Sequence, residues 1–234
     1  MRTGSAVAAQ SNSEKPSNSG NQTKQRILDA TVRTLKEEGI AGTSARAIAR
    51  AGDFNQALIF YHFDSVNGAL IAAVAEMTRQ RKERHGERLD AATTLNDLVD
   101  IALELHTEDV EMHHMTALTQ AIAGASGDPE MGPALFAELD QWSETVAGAI
   151  ERVLGDSPLA ELVPHDDIAR MIGSLFLGIE LLNDLAPEQA ESERLFETLR
   201  SLAAILQMLI DSPLAGVVPE LLENAKKNAP RSNG

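Results

Sequence analysis

From Thr23 to about Lys226 the apolar residues recur at intervals of three and four, and no stretch alternates apolar with polar as a half-buried strand does. A chain patterned this way can bury its apolar stripes only by packing helix on helix, so the expected class is all-α. The first helix is expected from about Thr23 to Glu38, with Ile27, Ala30, Thr31, Thr34 and Leu35 along its inner stripe and Gly39 as a C′ residue. Two short helices follow within 25 residues. Ser65 is then a good N-cap for a long helix reaching about Arg84, with Leu70, Val74 and Met77 inward. Longer helices are expected over Leu95–His106, Val110–Ala123, Met131–Leu154, Asp166–Leu185 and Pro187 or Glu188 to Ile210, with a short one over Pro219–Lys226. Gly124 to Pro129 and the Gly155–Pro164 loop are the clearest breaks. Residues 1–22, rich in Ser, Asn, Gln and Gly, and residues 226–234 are expected to be disordered tails.

Composition narrows the function. The chain has no cysteine, which excludes disulfide scaffolds, thiolate metal sites and cysteine nucleophiles. Its longest apolar stretch, around Leu175–Leu182, contains Glu180 and is too short to span a bilayer. The expectation is a soluble, cytoplasmic protein. Residues 1–85 hold 12 Lys and Arg against 8 Asp and Glu, whereas residues 86–234 hold 8 against 27. A mildly basic N-terminal piece on a strongly acidic body fits contact with a polyanion at one end only. No Gly-rich phosphate loop, G-x-S-x-G elbow or H-E-x-x-H motif is present, and no catalytic constellation or cofactor site is found. His106, Asp109 and His113 fall at i, i+3 and i+7 but lack a visible supporting shell, so no metal is expected.

The informative stretch is residues 43–63, TSARAIARAGDFNQALIFYHF. Thr43 or Ser44 can N-cap a helix of about two turns, with Ala45, Ile48 and Ala49 on its buried side, and Gly52 ends it. Asp53 continues the turn and Asn55 caps a second short helix to about His62. Such a pair is a helix-turn-helix pattern. Ile59 and Phe63 share one face of the second helix and pair with Phe54 and Ile48 in a core. The other face presents Ala57, Leu58 and Tyr61, flanked by Gln56, Phe60 and His62, and carries no charge. An apolar or neutral helix this short is either wholly buried or covered by a partner. Gln pairs with an adenine edge and small apolar groups pack on thymine methyls, so the DNA major groove is such a partner. Lys24, Arg26, Thr43, Ser44, Arg46 and Asn55 supply candidate phosphate and register contacts.

Over about residues 22–72 the chain resembles the tetracycline-repressor (TetR) family of transcriptional regulators. The resemblance rests on Arg26-Ile27-Leu28-Asp29-Ala30, Gly39, Thr43-Ser44, Ala47-Ile48-Ala49, Ala51-Gly52, the run from Ile59 through Phe60, His62 and Phe63 to Ser65, and Leu70. It implies a three-helix DNA-binding domain, here residues 23–68, followed by a larger helical domain, residues 69–225, that makes a homodimer and holds a small-molecule pocket. Two departures stand out. The family usually has Tyr where this chain has Phe60 and Lys where it has Val66, both phosphate contacts, and their loss flattens the salt dependence of binding.

The body offers candidates for both implied roles. Met171, Ser174, Leu175, Gly178 and Leu182 on one helix, with Leu195, Leu199, Leu202 and Leu206 on the next, form apolar faces that on two subunits give a four-helix interface. Met112, Met115, Leu118, Thr119, Trp142, Phe176 and Asn183 are the candidate pocket residues. The sequence therefore reads as a non-enzymatic, homodimeric repressor on a palindromic operator, associated with the nucleoid and released by a small molecule. The alternative is a helical ligand-binding or interaction protein that has lost DNA binding, which Phe60 and Val66 support.

Overall fold

The computed structural model describes residues 15–155 and 164–218, together with 157, 160, 220, 221 and 224. The chain runs through α1 (Lys15–Gly42), α2 (Ala45–Gly52), α3 (Ala57–Phe63), α4 (Val66–Ala91) and α5 (Leu95–Met112). It continues through α6 (His114–Ala125), α7 (Met131–Leu154), α8 (His165–Leu185), α9 (Pro187–Ala190), α10 (Ser192–Ile210) and a 3-10 turn at Pro213–Val217. No strand occurs among the described residues.

The expected inner stripe of α1 holds: Ile27, Ala30, Thr31, Thr34 and Leu35 are all buried. The Thr31 and Thr34 hydroxyls donate to the Ile27 and Ala30 carbonyls at 2.8 Å each, which satisfies two polar groups inside the core. Helix begins at Lys15 rather than Thr23, because a nucleated helix extends past its anchoring stripe at little cost. Residues 1–14 and the expected tail at 226–234 lie outside the described residues. Of the short helix expected over Pro219–Lys226, residues 220, 221 and 224 are helical. At Gly39 the backbone turns to φ 66°, ψ −179°, ending the regular part of α1. The following amide, Ile40 N–H, donates to Gln120 Oε1 on α6 at 2.9 Å.

The first three helices enclose one small core of Ile27, Ala30, Ile48, Ile59 and Ala69, closed by Phe54, Leu58 and Phe63. Ala69 belongs to α4, so the expected domain boundary at residues 68 and 69 falls inside a continuous helix. A second core joins the head to the body through Leu35 of α1, Leu70 and Val74 of α4, Met115, Leu118 and Ala121 of α6, and Leu135 of α7. A third holds Leu89, Ile101, Leu105, Ala149 and Val153, with Trp142 and Phe176 against it.

Three further boundaries differ from the sequence expectation. α4 continues to Ala91, where Leu89 enters the third core. The break expected after His106 lies instead at His113, whose backbone is left-handed (φ 51°, ψ 35°). A Thr94 capping box closed by Asp97 fixes the α5 start, and α5 then runs unbroken through His106 and Asp109 because both are buried on its inner face. The single helix expected from Pro187 to Ile210 is split at Glu191, also left-handed (φ 48°). By contrast α7 has the bounds read from the sequence, since a loop of Gly, Asp and Pro precedes it and Gly155 follows it.

Candidate nucleic-acid interface and ligand chamber

Local chemistry builds the helix-turn-helix. Ser44 caps α2, its Oγ accepting from Ala47 N–H at 3.2 Å, while the neighbouring Thr43 hydroxyl donates to Gly39 O at 2.8 Å. At the other end, Asp53 turns left-handed (φ 51°) and closes the helix. Two arginines of α1 reach across to the carbonyls left without helical partners. Arg26 Nη2 donates to Gly52 O and Asp53 O, both at 3.0 Å, and Arg33 Nη1 donates to Ala51 O at 2.9 Å. A cation at a helix C-terminus is favourable for its dipole as well. Arg26, read from the sequence as a phosphate contact, thus braces the turn, and its reach toward DNA is correspondingly restricted.

Asn55 Oδ1 accepts from Ala57 N–H at 2.9 Å, and Leu58 N–H donates to Asn55 O at 2.9 Å, so Asn55 starts α3 as its spacing implied. Ile59 is fully buried. Gln56, Ala57, Phe60 and Tyr61 face outward; Tyr61 is 80% exposed and Phe60 49%. Tyr61 meets His62 edge to face at 4.8 Å. Leu58 departs from the expected outward face, being half-buried against the small core of Ile27, Ile48, Ile59 and Ala69. Lys24 and Arg46 are exposed, with no bonded partner among the described residues, and Arg46 lies in the first turn of α2.

The body encloses a chamber of about 630 Å³, inside the ~300–1,000 Å³ range typical of small-molecule sites. Leu98, Ile101, Leu105, Leu135, Leu139 and Val146 form much of its wall. Of the seven pocket residues expected from sequence, Met115, Leu118, Trp142 and Phe176 line it. The other three do not. Met112 lies at the surface with Sδ 3.9 Å from Arg84 Nη1, and the Thr119 hydroxyl bonds back to Met115 O at 2.9 Å. Asn183 Oδ1 accepts from the Ser192 hydroxyl at 3.3 Å.

Sequence reasoning missed the charged group in this wall. Arg81 of α4 sits between the chamber and Asp109 of α5, donating through Nη2 to both carboxylate oxygens at 2.8 and 2.7 Å. Its guanidinium carbon lies 5.8 Å from the Trp142 ring centre. Asp109 is buried, which pushes its carboxyl above the usual range while Arg81 pulls the other way. Nearby, Lys36 of α1 donates to Met112 O at 2.6 Å, and burial lowers its ammonium. Burial, with Lys36, Arg84 and Arg81 adding to it, lowers the His114 imidazole to about 4. A signal for Arg81 existed: it follows Leu70, Val74 and Thr78 on the buried stripe of α4 and precedes His85 and Leu89.

His106, Asp109 and His113 do not converge. His106 bonds Glu180 Oε1 at 2.6 Å and Ser192 Oγ at 3.0 Å, tying α5 to α8 and α10, whereas Asp109 faces α4 and His113 forms the break. On the outer side of α8 and α10, Met171, Leu175, Leu182, Leu195, Leu202 and Leu206 are exposed, with Leu181, Leu185, Ile205 and Met208 beside them. Ser174 is exposed there and donates to Arg170 O, while Gly178 and Leu199 are half-buried. Large apolar side chains gathered in the open on a helix of a folded domain mark an interaction surface.

Residues 27–73 match the family described as bacterial regulatory proteins, tetR family. The HTH-type transcriptional regulator BetI of Cronobacter sakazakii is 26% identical over 201 residues, covering 84% of this chain and 93% of that protein. The fatty acid degradation regulator FadR of Bacillus halodurans shares the fold with a TM-score of 0.66 at 14% identity, over 76% of this chain and 96% of that one. A transcriptional regulator from Saccharomonospora viridis, solved in complex with choline, superposes with a TM-score of 0.60 at 18% identity, over 77% and 95%. Among the described residues no single helix is long and apolar enough to cross a membrane.

Proposed function

The chain belongs to the tetR family of bacterial regulatory proteins as a DNA-binding helix-turn-helix transcriptional regulator, and from that premise we propose that it is a homodimeric repressor whose operator grip is released by a small molecule. The observation that carries the reading is α3: a short helix fixed from behind by buried Ile59, with Gln56, Ala57, Phe60 and Tyr61 turned to solvent and no charge on that face. In the major groove Gln56 reads a base edge and Ala57 and the aromatics pack on apolar groups. Lys24, Ser44, Arg46, Tyr61 and the α2 N-terminus hold the flanking phosphates.

The apolar α8 and α10 faces supply the dimer, pairing the same surface on two copies around a two-fold axis. Two α3 helices then read half-sites about one DNA turn apart, roughly 34–36 Å. The chamber supplies the effector site, and the regulator crystallised with choline is a precedent for a small ligand in this fold. An effector that prefers a different head spacing lowers operator affinity by its differential affinity for the two arrangements.

The test is binding to DNA from upstream of the protein's own coding sequence, compared with scrambled DNA across a salt series. Selective binding that weakens as salt rises is expected, since phosphate contacts release counterions, with a slope moderated by Phe60 and Val66. Absence of binding at low salt overturns the DNA reading in favour of an interaction protein, for which Phe60 and Val66 are the supporting residues.

A further inference from the structure

The chamber wall is mostly apolar; Ser126, Ser143 and Ser174 add hydroxyls, and Arg81, Asp140 and Arg170 are its charged side chains. Asp140 and Arg170 face each other at 3.4 Å, and Arg170 also meets Asp167 at 3.6 Å in a half-exposed pair at the rim. Arg81 is different. Its side chain is only 17% exposed, and one nitrogen, Nη2, serves both oxygens of Asp109. That leaves Nε and Nη1 with no bonded partner among the described residues, on a group that itself lines the cavity. A guanidinium presents its donors in a planar fork that matches a carboxylate.

We propose that the chamber takes an amphiphilic monocarboxylate, its apolar body among Leu98, Ile101, Leu105, Leu135 and Phe176 and its carboxylate on the free donors of Arg81. This rests on reading the chamber as the effector site. A cationic head group is disfavoured at the same place: Arg81 repels it, Asp109 is already held, and the Trp142 face that would attract a cation is occupied by the guanidinium. A neutral head accepts from the same guanidinium but brings no opposite charge and no second oxygen to match its planar fork, so it is held less tightly.

The position of Arg81 also gives the ligand a route to the head. A second carboxylate on Arg81 weakens its hold on Asp109, which is buried beside His114 (3.8 Å) and under the α5–α6 break. The last carbonyl of α5, on Met112, is where Lys36 of the DNA-binding head is bonded.

The experiment titrates the full chain with decanoate, decanol and decyltrimethylammonium below their micelle concentrations. Fluorescence of Trp142 is followed because it is the chain's one tryptophan and lines the chamber. Decanoate is expected to bind about ten- to a hundred-fold tighter than the other two. Arg81→Met should erase that preference, and because it orphans buried Asp109, the double variant Arg81→Met with Asp109→Leu provides a folded comparison. The three-ligand series on the unmodified chain decides the matter even if both variants fail to fold. Equal binding of the three, tighter binding of the ammonium, or binding of none overturns the proposal and leaves the regulator reading intact. Selective decanoate binding that leaves operator DNA bound supports the proposal and refutes the reading that the ligand releases the repressor.

Discussion

Gly52→Ala is the substitution that most directly tests how the helix-turn-helix is assembled. A Cβ on Gly52 would stand 2.2 Å from Phe54 Cε1, 2.6 Å from Phe54 Cδ1 and 2.9 Å from Ala30 Cβ. Ala30 is fully buried on α1 and cannot retreat, so the Phe54 ring must leave its place against Ile27, Ile48 and Ile59. Overpacking of this kind costs about 1–3 kcal/mol. Helix propensity works the other way by up to ~1 kcal/mol, though less here because Gly52 is the last residue of α2. A net loss of about 1–2 kcal/mol is expected. With a urea slope of ~2 kcal/mol/M, the unfolding midpoint falls by roughly 0.5–1 M. Gly86→Ala is the matched control: Gly86 lies within α4 and its Cβ would meet nothing within 4 Å, so the same chemical change should stabilise by about 0.5–1 kcal/mol. Both variants are measured at one protein concentration, so that any self-association contributes equally to each. If Gly52→Ala raises the midpoint alongside Gly86→Ala, the close approach of the turn to α1 is not what holds the head together.

The His114 imidazole, lowered to about 4 by burial and the neighbouring Lys36, Arg84 and Arg81, makes stability depend on pH. The unfolded chain takes up a proton that the folded one refuses, so stability falls as pH drops from about 6.5 towards 4, by up to ~3 kcal/mol. The raised carboxyl of Asp109 acts oppositely at the acid end and blunts the fall. His114→Gln should flatten the melting temperature across that window, and an unaltered slope would assign the effect elsewhere. Gln56→Ala should lose about 1–3 kcal/mol of preference at one adenine of the operator, read from binding to single-base variants; an unchanged preference removes Gln56 from base reading. Lys24→Ala should weaken binding equally across sequences and reduce the salt slope by about one, and a sequence-selective loss would contradict its phosphate role.

What could be read without coordinates followed the range of the forces involved. The α1 stripe, the caps at Ser44 and Ser65 and the bounds of α7 are set by residues within a turn or two of each other, and all stand as expected; Asn55 bonds Ala57 N–H from the turn, with Gln56 between it and α3. The breaks at His113 and Glu191 gave no local warning, since both are left-handed and neither is Gly, Asn or Pro. Arg81 hid for a related reason. In the run Arg79-Gln80-Arg81-Lys82 it reads as solvated surface, and its partner Asp109 lies 28 residues away. Arg26 reads equally well as a phosphate ligand or a brace until the α2 carbonyls are placed beside it.

The passage of α4 through both cores bears on how chains of this kind diversify. Its first turns seal the head through Ala69 and Leu70, and its last turns seal the body through Leu89. A recombination event that grafts a new body onto an old head must therefore splice inside a helix, keeping the phase of its buried stripe across the joint. A graft one residue out turns that stripe by about 100° and exposes it. Heads and bodies of such proteins are thus exchanged less readily than drifted apart in place. The family match over residues 27–73 itself ends inside α4, beyond the head.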